Sequence, residues 1–230
     1  LSMREDFCGT ALLSTEWARS DKQRTALGVD LDGPTLAWAR QTNVGAAKPG
    51  VQRRVELIEA DVRDIREPRV DLTCALNFSF CVFKEREELK RYFRVVYEGL
   101  KDDGVFVTEL YGGTEAIIEL EDDREIDGED EVEDFTYTWE QESYDPLTHE
   151  TLCHIHFEFE DGSVMKNAFT YDWRLWTVPE IRDLLTEVGF QQIAIYWEDV
   201  DDEGEGTGEY RLAEIEENQE GWIVYIVAAK

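Results

Sequence analysis

Residues 5–32 read EDFCGTALLSTEWARSDKQRTALGVDLD. A short apolar start runs into the turn Phe7-Cys8-Gly9-Thr10-Ala11. A helix-like segment follows, then the run Ala26-Leu27-Gly28-Val29 that ends at Asp30. Strand, tight turn, helix and a second strand tipped with a carboxylate make half of a nucleotide-binding crevice. The backbone approaches the ligand at the turn, and the acid holds ribose hydroxyls about 20 residues further on. Asp30 stands at that distance from Gly9. The stretch therefore predicts an adenosine-containing cofactor.

Outward from this segment, strand-like and helical patterns alternate up to residue 112, as in a parallel sheet with crossover helices. Strands are expected at Leu1 to Glu5, Ala26 to Val29, Gln52 to Glu59, Val70 to Leu76 and Val105 to Leu110. Helices are expected at Ala11 to Ser20, Pro34 to Thr42 and Glu85 to Leu100, the last with Leu89, Phe93, Val96 and Leu100 on one face. Asp102-Asp103-Gly104 reads as the turn before the fifth strand. The chain opens on its first strand with nothing to cover that face, so either residues upstream complete it or the fold is trimmed there.

Beyond Gly112-Gly113 the pattern changes. Glu119 to Asp134 is dense in acid and reads as a mobile loop. Phe135 to Tyr144, Thr151 to Glu160 and Val164 to Trp173 read as a three-stranded antiparallel insert joined by Pro146-Leu147-Thr148 and Asp161-Gly162-Ser163. A helix from Val178 to Val188 stops at Gly189. Gln191 to Trp197 and Trp222 to Ala228 then form a terminal antiparallel pair around the turn Asp201 to Gly208. The expected fold is α/β: a Rossmann-like, mostly parallel seven-stranded sheet with a terminal hairpin and the small insert. Residues 1–112 form the cofactor-binding half, 113–177 the loop and insert as a lid or substrate region, and 178–230 complete the same domain.

Composition limits the function. The 230 residues are 42% hydrophobic, enough for a sizeable core. No apolar run is long enough to span a membrane, and Leu1-Ser2-Met3 leads into charged residues, unlike a signal peptide. Cys8, Cys74, Cys81 and Cys153 have no zinc-ligand spacing, which suits a reduced, cytoplasmic chain with buried thiols and no metal. Twenty-three Lys and Arg stand against 53 Asp and Glu, a net charge of −30. Such a field repels nucleic acid. It reads as a solvated acidic surface or, more sharply, as adaptation to high salt.

The chain resembles the class I S-adenosylmethionine-dependent methyltransferases, more narrowly the stand-alone bacterial type with a β insert. Glu5 and Gly9 match that family's acid-x-Gly-x-Gly-x-Gly turn, with Phe7 and Ala11 replacing the outer two glycines. Asp30 matches the acid ending the second strand, Ala60-Asp61-Val62 the adenine-contacting motif, and Asn77-Phe78 the end of the fourth strand. Tyr171-Asp172-Trp173-Arg174-Leu175-Trp176-Thr177 with Glu180 and Gly189-Phe190 resembles the late helix and strand of small-molecule members. The resemblance implies S-adenosylmethionine as cofactor, with S-adenosylhomocysteine as product. It places the cofactor on Glu5, Phe7, Cys8, Gly9, Thr10, Asp30, Leu31, Asp61, Val62, Asn77 and Phe78. Acids suit a sulfonium cation; a dinucleotide would want a fuller glycine loop and no acids beside its pyrophosphate.

Methyl transfer needs an aligned nucleophile and, for some acceptors, a base. Candidates for catalysis are His154 and His156 on one strand face, with Glu109 and Tyr111 at the end of the fifth strand; His149 lies in a turn nearby. Ser79, Tyr111, Trp139, Trp173, Arg174 and Trp176 are candidates for the acceptor, with Tyr171 in the same aromatic wall. Arg174 either holds a substrate carboxylate or pairs with Asp172 or Glu180. Asn77-Phe78-Ser79-Phe80 lacks the Pro-Pro motif of adenine and amide methylation. The expected partner is a small molecule, with no nucleic acid and no membrane, the protein being a monomer or homodimer. The alternatives are a non-catalytic S-adenosylmethionine or nucleotide binder and a nicotinamide-dependent oxidoreductase.

Overall fold

The second to fifth strands carry apolar residues at consecutive positions, so both faces need cover. The computed structural model, which describes residues 1–128, 133–201 and 206–230, shows how they get it. In chain order the elements begin with β1 (Ser2–Asp6), α1 (Leu12–Ser20), β2 (Thr25–Asp30), α2 (Gly33–Gln41), α3 (Pro49–Gln52), β3 (Val55–Glu59) and β4 (Val70–Ala75). They continue with α4 (Arg86–Gly99), β5 (Leu100–Gly112), β6 (Leu120–Ile126), β7 (Phe135–Tyr144), β8 (Glu150–Phe159) and β9 (Val164–Arg174). The chain closes with α5 (Val178–Val188), β10 (Gln192–Val200), β11 (Gly206–Ala213) and β12 (Trp222–Ala229).

Among the described residues the main sheet has eight strands in the order β11-β10-β12-β5-β4-β1-β2-β3. Strands β1 to β5 run parallel, and β12 enters antiparallel beside β5 with β10 antiparallel to it. The strand order reverses at β1, with β2 on one side and β4 on the other. Open α/β sheets bind ligands beyond the carboxyl ends of their strands at such a point.

Helices α4 and α5 cover one face: Leu89, Tyr92, Phe93 and Val96 pack with Leu184 and Leu185 against Phe106, Leu110 and Ile226. On the other face Leu13 and Trp17 of α1 lie over Met3, Ala26 and Cys74. A capping box between Thr177 and Glu180 starts α5, and Gly189 at φ 126° ends it. All four cysteines are free and buried.

The structure corrects several expectations. The main sheet has eight strands rather than seven, because β11 adds an edge to β10 where a turn is expected from Asp201 to Gly208. The insert has four strands in the order β6-β7-β8-β9 rather than three. Its extra strand is the acid-rich LEDDREI of β6, where the sequence suggests a mobile loop. Parts of both expected loops, residues 129–132 and 202–205, lie outside the described residues. Gln52 ends α3 instead of starting a strand, and β5 runs through Asp102-Asp103-Gly104 with a register shift against β4 between Val70 and Leu72.

Candidate active site

The turn after β1 holds Phe7, Gly9 and Ala11 at φ 58°, 49° and 54°. All three alternate positions are left-handed, so Phe7 and Ala11 adopt the backbone that glycine would take freely, at about 1 kcal/mol each. Surrounding bonds hold them there. Gly9 N–H donates to Asp30 Oδ2 at 2.7 Å, Cys8 N–H to Val29 O at 3.0 Å, and Ala11 N–H to Cys8 O at 2.8 Å. The Phe7 ring packs beneath the turn, 6.0 Å from Phe83 and 5.8 Å from Tyr92. Tyr92 in turn donates to Asp6 Oδ2 at 2.9 Å, and Asp6 pairs with the fully buried Arg4 at 2.9 Å.

Above the turn there is room. A Cβ on Gly9 would meet no atom within 4 Å. Beside it Leu31 is 69% exposed, an apolar side chain at the tip of β2 with nothing over it. Asp30 lies between them and also accepts Asp32 N–H at 2.9 Å, so the same acid fastens the turn and the entry to α2. Open backbone, an exposed apolar residue and a carboxylate at one strand end fit an adenosine carrying a cation. Thr10 is exposed at this rim, whereas Cys8 is buried under it with its thiol pKa raised by burial.

Glu5 has a second task. Its Oε2 accepts Ser14 N–H at 2.8 Å and Ser14 O–H at 2.5 Å. Helix α1 has no side-chain cap of its own at Ala11, and Glu5 supplies that acceptor from the neighbouring strand. Burial pushes the Glu5 pKa up to about 7 against the opposing pull of the Ser14 bonds. Asp61 is gripped by Arg63 through contacts of 2.7–3.1 Å, which hold its pKa below the usual range, while Val62 is buried beside it.

At the end of β4, Asn77 and Phe78 are consecutive left-handed residues at φ 54° and 53°. Glu109 explains the loop: its carboxylate accepts the N–H groups of Asn77 and Phe78 and the Tyr225 hydroxyl. Burial raises the Glu109 pKa despite these bonds. Ser79 O–H is likewise spent on Leu76 O at 2.8 Å. The Phe78 ring meets Tyr111 at 4.8 Å and Trp173 at 6.3 Å. Tyr171 stacks on Trp173 at 4.3 Å, and Trp139 on Tyr171 at 6.0 Å. Within this aromatic wall the Tyr111 hydroxyl is buried with no hydrogen-bond partner, and burial drives its pKa far above the usual tyrosine range.

Other candidates lie elsewhere. His154 and His156 do share a strand face, but side chains alternate along β8, and Ile155 between them faces Trp139. The two imidazoles therefore lie on the opposite side of the insert. His154 bonds Glu142 at 2.8 Å and Thr170 at 2.9 Å; His156 bonds Glu140 at 2.8 Å and accepts Asn167 N–H at 2.8 Å. His149 turns the β7–β8 connection, its N–H donating to Asp145 O at 2.7 Å. Arg174 takes the Glu180 alternative at 3.0 Å and lies 3.8 Å over the Trp176 ring. Trp176 is 2% exposed and donates to Phe83 O at 3.2 Å. Neither faces the aromatic wall as an acceptor contact. Among the described residues, no three His, Cys, Asp or Glu side chains converge as a metal site.

Sequence reasoning passed over Ser14, Arg63, Tyr225 and the Arg4–Asp6–Tyr92 chain. Arg63 was within reach of the sequence, two residues from Asp61. Tyr92 and Tyr225 are brought in by tertiary contacts alone.

Residues 7–104 match the family described as a methyltransferase domain. No curated protein matches the sequence. The fold is similar to the CcbJ methyltransferase from Streptomyces caelestis, with 16% identity, TM-score 0.72 and coverage of 100% of this chain and 84% of that one. It is similar to an S-adenosylmethionine-dependent methyltransferase from Clostridium acetobutylicum, with 19% identity, TM-score 0.64 and coverage of 98% and 82%. It is also similar to an amino pentose methyltransferase from Micromonospora echinaspora solved with S-adenosylmethionine bound, with 14% identity, TM-score 0.67 and coverage of 99% and 82%. Residues 7–104, which include the turn after β1, thus match a methyltransferase domain, and the switch-point sheet with its turn, acid and open rim has the fold of solved S-adenosylmethionine-dependent methyltransferases.

Proposed function

We propose that the protein methylates an amine or hydroxyl of a small-molecule acceptor held between the cofactor edge of the main sheet and the aromatic face of the insert. The unpartnered Tyr111 hydroxyl at the junction of the two carries this reading. A buried polar group without a partner costs about 1–3 kcal/mol, and a ligand atom would relieve that cost.

S-adenosylmethionine supplies, when bound, a methyl group activated by positive sulfur. Asp30 holds the ribose hydroxyls, Leu31 and Val62 flank the adenine, and Asp61 accepts its amino group with lone pairs left free by Arg63. Glu5 lies near the amino-acid end, only partly ionised at neutral pH because burial raises its pKa to about 7. Phe7, Cys8, Gly9, Thr10, Asn77 and Phe78 shape the floor, and residues 113–177 act as the lid.

Tyr111 stays neutral at physiological pH, so it orients the acceptor by hydrogen bonding and removes no proton. Glu109 is spent on the Asn77–Phe78 loop, and the two histidines face away. The chain therefore works by placing a nucleophile already neutral or ionised in line with the methyl group, the positional contribution being the larger one. The likeness to an amino pentose methyltransferase supports a small polar centre as acceptor. The net charge of −30 disfavours nucleic acid.

Turnover with isotopically labelled S-adenosylmethionine tests this against a panel of small amines and alcohols, with RNA, DNA and protein alongside. Label should enter a small molecule. Label in a macromolecule, or cofactor binding without transfer to any member of the panel, would overturn the proposal.

A further inference from the structure

The insert has two unlike faces. One carries Glu140, Glu142, His154, His156 and Glu158. The other is an aromatic stripe that continues outward from the proposed acceptor site, and the core covers only its inner end. Trp173 is 3% exposed at that end and Phe169 is 53% exposed at the other. Between them Tyr171 lies 4.3 Å from Trp173 and 6.4 Å from Phe169, the latter pair within 5° of parallel. Phe157 adds its edge to Phe169 at 6.4 Å and to Tyr137 at 6.0 Å.

From this we infer that the outer stripe of Tyr137, Phe157 and Phe169 is a subsite for a planar aromatic group attached to the methyl acceptor, the reactive heteroatom lying inward at Tyr111. The inference rests on the acceptor reading above and names the substrate class for it. Three observations favour this occupant. The stripe runs unbroken into the site where a buried hydroxyl lacks a partner. In a chain of net charge −30, the nearest charges on this face, Asp122 and Arg124 of β6, neutralise each other at 3.0 Å. The rings of the stripe lie 6.0–6.4 Å apart, the spacing at which a further aromatic ring packs on them.

The neutral arylamine N-phenyl-1-naphthylamine tests the subsite by its fluorescence on the full chain saturated with S-adenosylhomocysteine. One probe should bind per chain. Phe169→Ser and Phe157→Ser should each weaken it at least tenfold while leaving S-adenosylhomocysteine affinity, measured by calorimetry, within twofold. Phe169 is exposed enough that its variant keeps the fold, which a thermal melt checks. Probe affinity unchanged in both variants would overturn the inference. So would light scattering that shows a wild-type dimer and a Phe169→Ser monomer, since a second copy would then occupy the stripe. Failure of S-adenosylhomocysteine to bind the wild type would instead strike the cofactor assignment, and the probe titration without it would still decide the stripe.

Discussion

Single residues carry the departures from the family pattern, and their conformations explain them. Ala11 is fully buried at φ 54°, so glycine there relieves strain at the cost of one methyl group. Ala11→Gly should raise stability by roughly 0.5–1 kcal/mol, seen as a rise of a few degrees in Tm. Phe7→Gly relieves the same strain but removes a ring packed on Phe83 and Tyr92, and should destabilise by about 2–4 kcal/mol in denaturant titrations. A gain for Phe7→Gly would show that the ring contributes little.

Glu5 makes a pH prediction. Its folded pKa of about 7 lies above the ordinary 4.5, so the folded state binds the proton more tightly. Its contribution is complete below pH 4.5 and is lost as pH rises to 7. Glu5→Gln keeps an acceptor for Ser14 and does not titrate. The Tm of the variant relative to wild type should therefore increase from pH 5 to 7.5 and then level off; a difference independent of pH would contradict the buried, titrating Glu5.

At the scale of elements, strands and helices with strong apolar patterning were legible. The spans Phe135 to Tyr144 and Val178 to Val188 are predicted and found with the same ends. β6 was not legible because only its end residues, Leu120 and Ile126, are apolar. An edge strand makes its ladder bonds whatever its side chains, and charges protect its free side. The Asn77–Phe78 loop was half legible: its position follows from β4, but its dependence on Glu109 arises across 32 residues. Glu109→Gln would put an NH2 group against one of two backbone N–H donors. It should destabilise the protein by about 1–3 kcal/mol in urea unfolding and weaken acceptor turnover. Wild-type stability in this variant would show that the loop holds itself. Alternation places the histidine pair on one face, but it does not say which face meets the core.

For the whole molecule, the sheet order and its switch point follow from alternating strands and helices, and the edge proposed for the cofactor follows with them. Charge acts at the same scale. Arg63, Lys84, Arg86, Lys90 and Arg211 are already paired with acids, and 53 acids against 23 bases leave a large uncompensated excess. Salt shortens the range of that repulsion from about 10 Å at 0.1 M to about 3 Å at 1 M. Tm should rise steadily with potassium chloride over that range; a flat response would remove the case for high-salt adaptation.

The same scale joins turn, acid and rim into one site, and calorimetry with S-adenosylhomocysteine on the wild type and Asp30→Ala tests it most directly. Asp30 accepts from the turn and, on this account, from the ribose, so the variant should bind more weakly by about 1.5–3 kcal/mol with unchanged stoichiometry. Equal affinity in the two proteins, with both folded, would contradict the placement of the cofactor on this edge of the sheet.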